Sequence, residues 1–103
     1  MHPIDQPETC RTMSEVRAAI DEIDRRIVEL VALRFRFMDA AARIKPERSM
    51  VRDQARKAEV LAKVDQAAAD AGVDRALVRG IYEELIERSI THELAEFDRL
   101  RAG

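Results

Sequence analysis

An apolar stripe in the first half of the sequence constrains the fold more than any other feature. From Val16 onward, apolar side chains recur in steps of three and four, which is the spacing of one helix face. The run TMSE, beginning at Thr12, fits a capping box, and no Gly or Pro follows until Pro46, which disfavours helical geometry in the residue before it. We therefore predict one helix over roughly residues 13–44. The stripe comprises Val16, Ile20, Ile23, Ile27, Leu30, Phe37, Ala41 and Ile44.

Two further helices account for the rest of the chain. Asp53 is suited to cap a second helix that Gly72 ends, and Asp74 is suited to cap a third that runs nearly to the C-terminus. The sequence has only three Gly and three Pro, which is typical of a helical protein. We predict an all-α domain of three helices over residues 12–103, preceded by a flexible leader over residues 1–11.

The length of the first helix predicts a second copy of the chain. At about 1.5 Å per residue the helix spans roughly 45 Å, whereas a compact chain of this size has a radius of gyration of about 13 Å. Two shorter helices cannot cover a stripe of that length, but an identical chain could. The stripe also suits long, nearly parallel helix packing, so we expect an intertwined homodimer.

Charge and cysteine content exclude several classes of partner. The formal net charge is −2, so no overall basic field is available to hold nucleic acid or an anionic membrane. Cys10 is the only cysteine, and with two distant histidines it makes no metal site and no internal disulfide. Without an apolar run long enough to span a bilayer or a secretory signal, the sequence predicts a cytoplasmic protein.

Two charged residues occupy stripe positions where apolar residues are expected. Arg34 replaces a core residue of the first helix. Glu93 replaces one in a similar stripe of the third helix, which includes Ile86, Ile90, Phe97 and Leu100. Arg34 could extend its head toward solvent or Asp39, and Glu93 could be the buried partner of an arginine. Alternatively, both could set the register of a noncatalytic helical dimerisation module.

Further cations favour a binding site for a small anion. Lys45 follows Arg34 by about three helical turns, although a lysine is also common at a helix C-terminus. Arg52 and Arg56 flank the start of the second helix, where the macrodipole disfavours cations and Asp53 is the only acid beside them. A solvated charged face is the alternative, but the guanidinium fork matches carboxylates two hydrogen bonds at a time.

Taken together, these polar positions resemble the all-helical chorismate mutase family. The resemblance rests on five positions across three helices of matching length, and it covers nearly the whole chain after the leader. They are Arg17 within EVRAAIDEID, Arg34, Lys45, the VRD segment followed by Arg56, and a polar residue at 93.

This resemblance implies an activity and a role for each residue. Enzymes of the family are intertwined dimers that convert chorismate to prephenate, a step of the shikimate pathway to the aromatic amino acids, without a cofactor. By similarity, Arg17 and Arg34 bind carboxylates, and Lys45 and Glu93 address the ether oxygen. Asp53 binds the ring hydroxyl, and Arg56 and Ser89 complete the lining. Small-residue packing is the alternative role for Ser89.

Two departures from the family pattern accompany the match. Lys57 replaces a glutamate that many relatives have directly after the arginine of helix two, and Glu93 replaces a frequent glutamine. The same scaffold also serves isochorismate pyruvate lyase, which makes salicylate, so that activity is an alternative expectation.

Distances along the first helix predict how a site would be shared. Arg17 and Arg34 lie about 25 Å apart on one helix, and Arg17 and Lys45 about 42 Å apart. One small dicarboxylate cannot contact all three within one chain. We therefore expect the second chain of the homodimer to supply Arg17.

Overall fold

The computed structural model describes residues 6–102, and within that range the chain is helical without strands. The three main helices are α1 over Met13–Ile44, α2 over Gln54–Ala71 and α3 over Arg75–Arg101. Two short 3-10 helices, Pro7–Thr9 and Arg48–Met50, were not predicted. The all-α class and the three main helices are thus confirmed. The predicted leader, residues 1–11, lies partly outside the described residues.

Local capping interactions explain why the helices begin and end where they do. Thr12 Oγ1 accepts a hydrogen bond from the backbone N–H of Glu15 at 3.2 Å, as expected for a capping box. The Asp53 carboxylate caps α2 by accepting from Arg56 N, and the Asp74 carboxylate caps α3. Gly72 ends α2 with φ at 73°, a left-handed conformation that glycine adopts without strain.

The chain divides into two compact units, and the boundary follows Arg34. In the first unit, much of the apolar stripe is exposed: the exposed fraction is 47% for Ile20, 52% for Ile27 and 64% for Leu30. Glu22 pairs with Arg25 and Arg26, and its hydrogen bond to Arg25 is the main reason why its pKa falls from 4.5 to about 2.

The second unit begins at Phe35 and contains the buried core. Helices α2 and α3 are antiparallel, since Asp65 pairs with Arg75 near their connection and Lys57 pairs with Glu87 farther from it. The core cluster consists of Ala42, Val51 and Phe97, with Ile90 and Leu94 packed against it.

The buried side of α1 in this second unit differs from the predicted stripe. Ala42 is fully buried, whereas Phe37 and Ile44 are 63% and 71% exposed in the single chain. A small side chain at this point allows close helix packing, which periodicity of large apolar residues does not reveal.

Candidate active site

An ion pair between Lys45 and Glu93 is the main polar feature of the buried part of the second unit. Lys45 Nζ lies 2.7 Å from Glu93 Oε2. Glu93 is only 4% exposed, as its position in the stripe suggests, while the Lys45 side chain is 29% exposed. A carboxylate taken out of water requires a charged or hydrogen-bonding partner, and here a lysine supplies it where the sequence suggested an arginine.

Ser89 lies one helical turn before Glu93 and is also buried. Its exposed fraction is 3%, and its hydroxyl donates to the carbonyl oxygen of Leu85 at 2.7 Å. Because residues four apart share a helix face, α3 places a hydroxyl beside a carboxylate on one face. With Lys45, these residues provide a cation, a carboxylate and a hydroxyl in one part of the fold.

The start of α2 holds two more of the predicted site residues. Asp53 Oδ1 accepts the N-cap hydrogen bond from Arg56 N at 3.0 Å. The Arg56 guanidinium forms an ion pair with Glu59 on its own helix, and its side chain is 57% exposed. Asp53 therefore stabilises the N-terminus of α2 as its cap.

Asp53 is the only acid beside Arg52 and Arg56 in the sequence, but in the structure other carboxylates contact both arginines. Arg52 forms two hydrogen bonds, of 2.7 and 3.2 Å, to the Glu87 carboxylate of α3. Glu59, one turn along α2, supplies the partner of Arg56. Neighbours along the sequence do not reveal a carboxylate that another helix brings into contact.

Lys57, the residue that departs from the family pattern, also contacts α3. Its ammonium lies 3.0 Å from Glu87 and 3.1 Å from Glu83, and the hydrogen bond to Glu87 is the main cause of its raised pKa. Glu87 in turn binds both Arg52 and Lys57, which lowers its pKa from 4.5 to about 2. This cluster joins the start of α2 to α3.

The two remaining predicted residues, Arg17 and Arg34, belong to the first unit. Arg17 is exposed and Arg34 is half-buried. Asp39, which the sequence offered as a partner for Arg34, lies 2.6 Å from His92 Nε2. The second unit therefore contains Lys45, Asp53, Arg56, Ser89 and Glu93.

Arg101, which was not among the predicted site residues, binds the backbone at the end of α1. Its guanidinium donates to the carbonyl oxygens of Ala42 and Lys45. A signal was present, because Arg101 continues the four-residue steps from Ser89 through Glu93 and Phe97.

Two comparisons with known proteins found similarities to this chain. The family model described as chorismate mutase type II matches residues 16–94. The chain is also similar to a protein named isochorismate pyruvate lyase from Pseudomonas aeruginosa. The two are 28% identical over 97 residues, a stretch that covers 94% of this chain and 96% of the relative. Within residues 6–102, none of the helices is both long enough and apolar enough to cross a membrane.

Proposed function

Because the chain belongs to the chorismate mutase type II family, we propose that it converts chorismate to prephenate in the shikimate pathway. The observation that best supports this proposal is the contact between Lys45 and the buried Glu93. The rearrangement is unimolecular and needs neither a nucleophile nor a general base. An enzyme accelerates it by holding a compact conformer and stabilising the charge that develops on the ether oxygen.

The residues of the second unit suit those two tasks in the proposed site. Lys45 and Glu93 address the ether oxygen. Because Glu93 is paired with the Lys45 ammonium, it must take up a proton in the substrate complex before it can donate a hydrogen bond there. Ser89 and Arg56 contribute to the lining, and Asp53 recognises the ring hydroxyl. Since Lys57 replaces the family glutamate, recognition of the ring hydroxyl rests on the carboxylate of Asp53.

Two arginines of the first unit complete the proposal. Arg17 and Arg34 bind substrate carboxylates, with Arg17 supplied by the partner protomer. The exposed apolar side chains of Ile20, Ile27 and Leu30 support an intertwined homodimer, since apolar surface of this kind is stabilised by burial against a second chain.

The name of the Pseudomonas aeruginosa relative favours isochorismate pyruvate lyase as the second candidate activity. Chorismate and isochorismate are both dicarboxylates, so the same cations could hold either substrate. The two reactions are distinguished by product, since the lyase forms salicylate and pyruvate.

A two-substrate assay tests the proposal. Purified protein is incubated with chorismate and, separately, with isochorismate, and substrate loss is followed by absorbance while the products are separated and identified. Prephenate from chorismate, at a higher kcat/KM than salicylate from isochorismate, supports the mutase. The opposite ranking assigns the lyase. Consumption of neither substrate leaves the noncatalytic dimerisation module as the better account.

A further inference from the structure

Arg101, the last residue of α3, closes the C-terminal end of α1. Its Nη1 donates to the carbonyl oxygen of Ala42 at 3.0 Å, and its Nη2 donates to that of Lys45 at 2.7 Å. The natural partner of the Ala42 carbonyl in a continuing helix is the N–H four residues later, but that residue is Pro46, which has none. A guanidinium from another helix therefore replaces the missing donor.

The aromatic ring of Phe97 limits the freedom of this guanidinium. The guanidinium carbon of Arg101 lies 3.5 Å from the ring centroid, in a cation–π contact. Phe97 itself is only 6% exposed and belongs to the core cluster with Ala42 and Val51. Because the ring is fixed by packing, the planar fork above it is held in the orientation that reaches both carbonyls.

The contacts of Arg101 connect the backbone of Lys45 to the helix that carries Glu93. Phe97 follows Glu93 by one turn of α3, and Arg101 follows Phe97 by another. Lys45 is the first residue beyond α1, and its own N–H donates to the Ala41 carbonyl at 2.9 Å. A long lysine side chain reaches a fixed point reliably only if its backbone is fixed as well.

We propose that Arg101 is a positioning residue, which fixes the backbone of Lys45 against α3 and thereby holds the Lys45 ammonium at Glu93. The effect on catalysis rests on the proposed function of that pair. The structural tether between Arg101 and Lys45 does not depend on that function. The tether and its effect on catalysis are therefore tested by separate measurements.

Amide hydrogen exchange tests the tether without any substrate. In Arg101→Ala, exchange of the Lys45 amide should accelerate by about tenfold or more, because the last turn of α1 loses its external donor. The amide of Leu61, in the middle of α2, should change much less and so excludes global unfolding as the cause. Unchanged exchange at Lys45 would overturn the tether.

A matched control removes a different link between the same segments. Arg48 forms an ion pair with Asp98 of α3 through two hydrogen bonds of 2.9 and 3.2 Å. These bonds go to a side chain and not to the backbone of Lys45. Arg48→Ala should leave Lys45 exchange within about twofold of wild type. An acceleration equal to that of Arg101→Ala would mean that any loss of contact with α3 has this effect, and it would overturn a specific role for Arg101.

Kinetics test whether the tether acts through Lys45. Arg101→Ala should lower kcat by about tenfold or more with a smaller change in KM, because a displaced group stabilises the transition state poorly. In a Lys45→Met background, the same substitution should cost less than about twofold, since there is no ammonium left to position. An equal loss in both backgrounds would overturn the positioning role.

A conservative variant covers the case in which Arg101→Ala does not fold. Arg101→Lys keeps the charge but lacks a fork that spans two carbonyls, so it should show the same pattern with smaller effects. Wild-type kinetics in Arg101→Lys would contradict the proposal. If the wild-type protein turns over neither chorismate nor isochorismate, the proposed function and the kinetic part fail together, while amide exchange still decides the tether.

Discussion

The ammonium of Lys45 lies 2.7 Å from the Glu93 carboxylate and joins the end of α1 to α3. Because Glu93 is 4% exposed, its ionised form depends on this cation for much of the stabilisation that water would otherwise give. In the proposed reaction the same two groups meet the ether oxygen of the substrate. Their structural and catalytic contributions can be separated by the choice of substitution.

The first prediction concerns folding stability. Lys45→Met keeps the length of the side chain but leaves the Glu93 carboxylate without its ammonium, so we expect the free energy of unfolding to fall by about 1–3 kcal/mol. This is less than for a fully buried pair because the lysine is 29% exposed. Urea denaturation measures the change. Lys63→Met, at an exposed position of α2, is the control, and an equal loss in both variants would contradict the prediction.

A second prediction concerns the proton on Glu93. If this carboxyl donates a hydrogen bond to the ether oxygen, kcat/KM should decline as pH rises, because only the protonated form can donate. Glu93→Gln, a permanent donor of similar shape, should flatten the decline, whereas Glu93→Ala should be weak at every pH. The pH profiles of kcat/KM for wild type, Glu93→Gln and Glu93→Ala test whether Glu93 is the donor. The same decline in wild type and Glu93→Gln would exclude the donor role.

The third prediction follows from the low pKa of Glu87. Arg52 and Lys57 lower that pKa from 4.5 to about 2, so the ionised carboxylate stabilises the fold. This contribution is fully present above about pH 5 and is lost as pH falls toward 2. Acid titrations of unfolding free energy should therefore be flatter for Glu87→Gln than for wild type.

The control for Glu87 is another glutamate of α3, whose ion-pair partner lies on the same helix. Glu84 pairs with Arg88 within α3, and both side chains are more than 60% exposed. Glu84→Gln should keep the acid sensitivity of the wild type. Loss of stability that follows the same pH curve in wild type and Glu87→Gln would show that the cluster at the start of α2 does not stabilise the fold.

The helix boundaries could be predicted because their signals are local. Thr12, Asp53 and Asp74 each accept a hydrogen bond from a backbone N–H at most three residues away, and Gly72 adopts its left-handed conformation at the end of α2. Periodicity also predicted the burial of Glu93.

Contacts between helices could not be read from the sequence in the same way. The pairing of Arg52 with Glu87 depends on how α2 and α3 are aligned. The charged residues of two antiparallel helices could pair in many different alignments. The capping of α1 by Arg101 depends on where α3 ends in space. Sequence spacing defines which residues share a helix face, but not which residue of another helix lies opposite.

The fourth prediction concerns the shared site. If Arg34 and the Arg17 of the partner subunit bind one substrate, Arg17→Ala and Arg34→Ala homodimers should both be nearly inactive. When the two variants are unfolded and refolded together, half of the dimers are mixed, and each mixed dimer has one site with both arginines. About a quarter of the wild-type activity should return.

The complementation experiment has an internal control. Each variant refolded alone should stay inactive, and sedimentation should report dimers throughout. A monomeric wild-type protein, or the absence of any rescue on mixing, would contradict the contribution of Arg17 across chains.

The most direct test of the central claim, that the Lys45–Glu93 pair lies at the site of chorismate rearrangement, is the kcat/KM of Lys45→Met for chorismate beside that of Lys63→Met. Loss of a cation that stabilises the developing charge should lower kcat/KM by about a hundredfold or more, whereas Lys63→Met should stay within about twofold of wild type. Both proteins are assayed where circular dichroism shows them fully folded. A folded Lys45→Met protein that keeps wild-type kcat/KM would contradict the claim.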